Sequence, residues 1–247
     1  MNAELGPPEG GVDPRALAVR GGQAVLAVAA SLVAAAALVP AFERVALAVG
    51  FADGSAATEV FTTVGNAAGF AVAGLLFLAY AGDLDLLRAR VPTGRDAVVS
   101  AVGAVGLILA GYGIVAAFSA AGVAPSTNRA LENPPAYFLA MIPLSFLTVA
   151  PGEELLFRGV VQGELKRAVG PAGAIAGASL LFGLLHYVAG AGTPTQRLVY
   201  VAIAAMLGVV LGALYEYTDN LVVPVAVHGA YNAVQFAVQY LSATGAV

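Results

Sequence analysis

The chain contains no cysteine and no tryptophan, and it carries a single lysine against ten arginines. Without Cys there is no disulfide framework, no thiolate nucleophile and no Cys-ligated zinc or iron–sulfur centre. Without Trp, any aromatic belt at a membrane interface must draw on the 9 Tyr. Charge is also scarce: charged residues make up 11% of the 247 positions, where a soluble domain carries about a quarter. The net charge of -4 and the absence of any basic run exclude the positive stripe that nucleic-acid binding requires.

What the chain has instead is apolar surface. Apolar residues make up 60% of it, and the mean hydropathy of +0.86 spreads that excess over most of the length. One aqueous core cannot hide so much, so the solvent for most of this chain is lipid. Residues 1–15, with three Pro and three Gly before any apolar run, read as a disordered tail rather than a signal peptide. Seven apolar runs follow, at about 21–39, 60–81, 97–121, 136–152, 171–190, 198–215 and 221–241, with the fourth helix free to continue to about 169. Each is near the roughly 20 residues that cross a hydrocarbon layer as a helix. The expected fold is therefore all-α, a polytopic bundle of about seven transmembrane helices. Three N-terminal spans occupy 16–135 and a second unit occupies 136–241.

Arginine and lysine orient such a bundle, because short loops rich in them stay cytoplasmic. One face gathers Arg15, Arg20, Arg88, Arg90, Arg95, Arg158, Lys166 and Arg167, and the other has Arg44, Arg129 and Arg197. The N-terminus is expected inside and, with seven spans, the C-terminus outside. Asp83, Asp85, Arg88, Arg90, Arg95 and Asp96 read as a solvated loop. Tyr187, Tyr200, Tyr215 and Tyr217 read as interface anchors, and Ser145 and Thr148 as packing or backbone-bonded hydroxyls.

Ionisable groups inside spans are the exceptions that call for a function. Three clusters qualify: Glu153-Glu154 with Arg158, Phe182 with His186, and His228 with Asn232. Glu154 and Arg158 are four apart and predict an ion pair, while Glu153 points about 100° away and is free to act as a base. His228 and Asn232 are also four apart and reach one small object. Phe182 lies one turn from His186 and can wall its pocket. Glu153 lies 17 residues before Gly170 and His186 16 after it, so a helical hairpin turning at Gly170-Pro171 would put them at one height. Taken singly, each group also fits a structural role, as an ion pair at a helix end or a polar contact between helices.

These motifs, EExxxR, FxxxH and HxxxN in this order on successive helices, resemble the CAAX protease and bacteriocin-processing (CPBP, or Abi) family, which includes the type II CAAX prenyl endopeptidases. Gly208, Gly212, Tyr215, Asn220-Leu221 and Pro224 before His228 fit as well, and the resemblance covers about 136–240. It implies an intramembrane endopeptidase acting on a peptide or lipid-modified protein. Glu153 and His186 would activate water, and His228 and Asn232 would steady the oxyanion or contribute to a metal site. Glu154, Arg158 and Phe182 would support them. If zinc is the cofactor, His186, His228 and Glu153 are its expected ligands; a side-chain-only mechanism is the other course.

The residues alone give the same division of labour, since hydrolysis needs a base, an oxyanion partner and a proton for the leaving amine. HExxH, GxSxG and GxGD signatures are absent. The competing class is a proton-coupled transporter in which Glu153, His186 and His228 form a relay. The hydrolase reading expects Glu153, His186, His228 and Asn232 on one cavity, open to the cytoplasm or laterally between helices.

Overall fold

A computed structural model describes residues 13–246. The tail expected over 1–15 falls outside the described residues as far as residue 12; Asp13 then caps a helix, its side chain accepting from the Arg15 N–H at 2.9 Å, and Pro14 opens the first turn where its missing N–H costs nothing. The described residues are mostly helical, with one isolated bridge between Asn128 and Gly190 and no strand among them.

In order, α1 is Pro14–Ala48, α2 Ala56–Ala81, α3 Gly94–Ala120, α4 Pro135–Leu144, α5 Ala150–Glu154, α6 Gly163–Ala189, α7 Pro194–Thr218 and α8 Val222–Ala243. A π turn, Ser145–Val149, joins α4 to α5, and a π segment, Leu155–Gln162, joins α5 to α6. Wide turns suit this stretch: Pro143 and Pro151 lack the N–H that the regular ladder needs. Ser145 and Thr148 return their hydroxyls to the Met141 and Leu144 carbonyls, as expected.

Five helical stretches among the described residues are long and apolar enough to cross a membrane. One of them, Pro135–Ala189, has 55 residues and is not straight. Gly170 sits at φ 70°, ψ 178°, a conformation that favours glycine, and Pro171 follows it. The chain folds back there, so that the Phe157 and Phe182 rings meet edge to face with centroids 5.1 Å apart. The expected hairpin is therefore present, and with α8 the seven expected spans are approximately those observed.

The outward faces of α1 and α3 are apolar, with Val33, Leu26, Val102 and Leu109 exposed, as lipid-facing helices require. Inside, small residues let backbones approach. A Cβ on Gly152 would lie 2.6 Å from the Ala67 carbonyl oxygen, so α5 seats directly on α2. The first arm of the hairpin runs parallel to α7 and is tied to it by a ladder of even spacing. Arg158 Nη2 donates to the Gly208 carbonyl at 3.0 Å, Gln162 Nε2 to the Gly212 carbonyl at 3.1 Å and Lys166 Nζ to Glu216 at 2.6 Å. Each rung is one helical turn beyond the last on both helices.

The ladder ends in a belt of ion pairs at one end of the bundle. Arg20 and Arg167 share Glu164 at 2.8 and 3.2 Å, Arg167 also meets Asp83 at 2.6 Å, and Arg88 meets Glu216 and Asp219 at 3.2 and 2.8 Å. The Arg167 hydrogen bond holds the Asp83 carboxyl below its ordinary range. The loop from Asp83 to Asp96, expected to be solvated, is partly built in: Asp96 is buried and completes a reciprocal cap with Thr93 at the start of α3. Tyr215, expected as an interface anchor, is buried as well, and its hydroxyl donates to the Leu86 carbonyl.

Candidate active site

The two acids of the first motif lie where the wide-turned arm crosses α2. Gly152 fixes that crossing, and the following residues point inward toward α8. His228 is the meeting point. Its Nδ1 stands 2.8 Å from Glu154 Oε1, and its Nε2 stands 3.7 Å from Glu153 Oε2. A carboxylate can only accept, so Nδ1–H donates to Glu154 and Nε2 turns toward Glu153. Glu154 in turn holds Arg158, with Nε 3.1 Å from Oε2, and both side chains are sealed from solvent. The guanidinium lies 5.0 Å over the Phe182 ring.

Arg158 thus occupies the core. The sequence count placed it with the cytoplasmic basic residues, but its carboxylate partner one turn away and the Gly208 carbonyl draw it inside. An unpaired guanidinium could not remain there. Glu154 likewise does more than pair with Arg158: it also orients His228.

His186 lies on the second arm of the hairpin. Its Nδ1 donates to the Phe182 carbonyl at 2.8 Å, since a carbonyl oxygen can only accept, and this leaves the Nε2 lone pair free. Phe182 packs on both imidazoles, with centroids 4.5 Å from His186 and 5.8 Å from His228. The expected wall is in place, and it serves two histidines.

Glu153, His186, His228 and Asn232 all line one cavity of about 730 Å³, together with Phe182. The walls are largely apolar, with Phe70, Met141, Leu207 and Leu211 among them, while Tyr200, Tyr231 and Asn128 add polar groups. An apolar chamber with a few convergent polar groups is the usual form of a small-molecule or peptide site. Glu154 and Arg158 stand behind it, off the cavity surface.

Among the described residues no three His, Asp or Glu side chains are placed to hold one metal ion together. His228 already spends Nδ1 on Glu154 and His186 spends Nδ1 on Phe182, so each offers one nitrogen. The donor types suit zinc, but their spacing in this structure does not.

Residues 135–234 match the family described as type II CAAX prenyl endopeptidase Rce1-like. The helices that carry the site are thus similar to those of the CAAX protease family. The match begins at the start of α4 and ends just beyond Asn232, so it takes in all three polar motifs of the cavity. No curated protein and no solved structure matches the chain. The match supports a CAAX-type protease in general terms.

Two contributors to this site escape the sequence reading. Tyr200 was read as an interface anchor, yet its ring meets His186 edge to face at 5.6 Å and its hydroxyl accepts from Asn128 Nδ2 at 3.0 Å. Asn128 lies in the loop before α4, outside every apolar run. The only signal available was its chemistry, an amide in a loop whose neighbours in space no helical spacing reveals.

Proposed function

We propose that the chain is an intramembrane endopeptidase in which Glu153 is the general base and His186 helps to hold the attacking water. The observation that carries this reading is the convergence of Glu153, His186, His228 and Asn232 on one largely apolar cavity. The family match favours hydrolysis over a proton relay through Glu153, His186 and His228.

The reaction follows from the donors and acceptors present. A water held between the Glu153 carboxylate and the His186 Nε2 lone pair gives its proton to Glu153 as its oxygen bonds to the scissile carbonyl carbon. The carbonyl π electrons move onto oxygen. Asn232, through its amide N–H, and His228, when Nε2 carries a proton, donate to that oxyanion. Glu154 keeps the His228 ring turned toward the cavity, its carboxylate accepting from Nδ1–H. On collapse the C–N bond breaks and Glu153 returns its proton to the departing amine nitrogen, so that it ends as it began.

Every step uses side chains alone, because the donor set does not gather on one ion. The apolar walls suit a substrate with a hydrocarbon portion, and a lipid-modified protein tail or peptide is the proposed class. The positive-inside asymmetry supports a cytoplasmic N-terminus and an outer C-terminus in a cell membrane.

The test is cleavage of a fluorogenic lipidated peptide library by detergent-purified protein, beside Glu153→Ala and His228→Ala, each with and without chelator. Cleavage by the wild type alone, insensitive to chelator, is the expected result. Loss on chelation with recovery on adding zinc would replace the side-chain mechanism, and cleavage that survives in Glu153→Ala would sink the assignment of the base.

A further inference from the structure

The N-terminal half of the chain contributes a polar wall to the cavity. Thr62, Asn66 and Phe70 follow one another at four-residue steps along α2 and all three line it, with Thr63 and Ala67 beside them. The exposed apolar residues of the same helix, Val72, Leu75 and Leu76, sit about 80° to 180° round the helix from Asn66. Asn66 therefore faces the chamber rather than the lipid.

The threonines of this wall are already engaged. Thr62 and Thr63 each donate to the Glu59 carbonyl at 2.9 Å, and Thr63 also meets the Tyr137 hydroxyl at 3.0 Å. Asn66 differs: it is exposed, and its amide has no hydrogen-bond partner among the described residues. Within α2, Ala56–Ala81, it stands about 15 Å from one end of the helix and about 22 Å from the other. That is well inside a ~30 Å hydrocarbon layer, where an amide without a partner is costly. Whatever occupies the cavity has to supply that partner.

One contact sets its place relative to the reacting groups. Gly152 seats on the Ala67 carbonyl, and Asn66 and Glu153 each lie one residue from that contact, on crossing helices that border the same cavity. A carboxamide presents N–H donors and a carbonyl acceptor side by side, which is the complement of a peptide group. A peptide carried into an apolar chamber has to satisfy its main-chain N–H and C=O groups there. Of the α2 side chains on the cavity, Asn66 is the one whose donors are not already given to the protein.

We propose that Asn66 is a substrate-binding residue, its amide pairing with a main-chain amide of the peptide beside the bond that Glu153 addresses. It helps to set which bond of an extended segment lies over the base. It does so from outside residues 135–234, where the family match lies. The proposal rests on the hydrolase reading for the cut, and on the lining, the crossing at Gly152 and the unpartnered amide for the contact.

The test uses Asn66→Leu, which keeps the bulk and removes the amide. Binding of a dye-labelled, singly lipidated peptide is measured by fluorescence anisotropy in the Glu153→Gln background, so that the peptide stays whole, with and without Asn66→Leu. The same is done with versions of the peptide in which one main-chain amide at a time is an ester, which lacks the N–H and has a weaker carbonyl acceptor. Asn66→Leu should weaken binding of the parent peptide by about tenfold, the scale of a hydrogen bond left unmade in an apolar site. One ester should weaken binding to the Asn66 protein by a similar factor and cost the Asn66→Leu protein almost nothing further. With Glu153 intact, Asn66→Leu should raise KM more than it lowers kcat. Its melting temperature in detergent should equal or exceed that of the wild type, because no helix loses a partner. A lower melting temperature would make the amide a fastening of the bundle and overturn the proposal. Equal affinity of the two proteins, no binding by either, or ester penalties that persist in full in Asn66→Leu would overturn it as well. If the wild type binds the peptide through Asn66 and cuts none, the hydrolase reading fails while the contact stands.

Discussion

Glu154 and Arg158 pair at 3.1 Å with side chains 0% and 1% exposed, whereas Asp83 and Arg167 pair at 2.6 Å with side chains 24% and 31% exposed. The groups are the same and the distances are comparable, yet the two pairs do different things. At the belt, water shares the task of solvating each charge, so either partner can be lost cheaply. Inside, each charge depends on the protein for all its solvation, and removing one strands the other. The inner pair is also directional, since Glu154 passes its orientation on to His228 and so to the cavity. The interior network positions chemistry, and the belt marks a level.

The strongest way to test that contrast is at the one interior acid that faces the cavity rather than a cation. Glu153→Gln keeps shape and hydrogen-bonding capacity and removes the base. Hydrolysis should fall by about 10²–10⁴-fold, the usual contribution of a general base, with the melting temperature in detergent near that of the wild type. A Glu153→Gln protein that retains most of its turnover would assign the interior network to structure alone.

Arg158→Ala attacks the pair itself. It leaves Glu154 buried without its guanidinium, and a loss of about 3–5 kcal/mol is expected from breaking a buried pair on one side. Thermal unfolding in detergent measures it. Restoring balance with Glu154→Gln in the same chain should recover part of the stability but not the cleavage, because Gln presents His228 with no carboxylate. Equal stability of Arg158→Ala and wild type would show that water reaches this pair as it reaches the belt.

Gly152→Ala sharpens the comparison without touching a charge. The added methyl would stand 2.6 Å from the Ala67 carbonyl oxygen, and pushing α5 off α2 should cost about 1–3 kcal/mol, as overpacking does. Because Glu153 is the next residue, cleavage should fall further than stability. A variant that loses stability but keeps its rate would separate helix packing from placement of the base.

Much of this arrangement is legible in the sequence, and the part that is not has a physical reason. Spacing within one helix gave the Glu154–Arg158 pair, the common reach of His228 and Asn232, and the Phe182 wall. Counting outward from Gly170-Pro171 gave the matched height of Glu153 and His186, because a tight turn makes two helices share a ruler. Contacts between helices distant in sequence had no such ruler. That Glu154 would meet His228 depends on the lean of α8, and that Tyr200 would lie beside His186 depends on the packing of α7 against α6. Arg158 shows the same limit in charge counting: its type says cytoplasmic, and only the Gly208 carbonyl and Glu154 explain why it is inside.

The belt should yield least. Arg167→Ala removes two contacts, to Asp83 and Glu164, but Arg20 still holds Glu164 at 2.8 Å and water replaces the guanidinium at Asp83. The expected cost is under about 1 kcal/mol, as for exposed pairs, with no change in cleavage. The pH dependence follows from the same contact. Asp83 has its pKa lowered in the folded protein by Arg167, so its contribution is present above the ordinary carboxylate value and is lost as pH falls through the folded one. Arg167→Ala should therefore flatten the acid limb of the stability curve slightly, its small deficit being present near neutrality and vanishing at low pH. If the variant instead costs as much as Arg158→Ala, the belt is not solvated, and its pairs depend on the protein as fully as the interior one does.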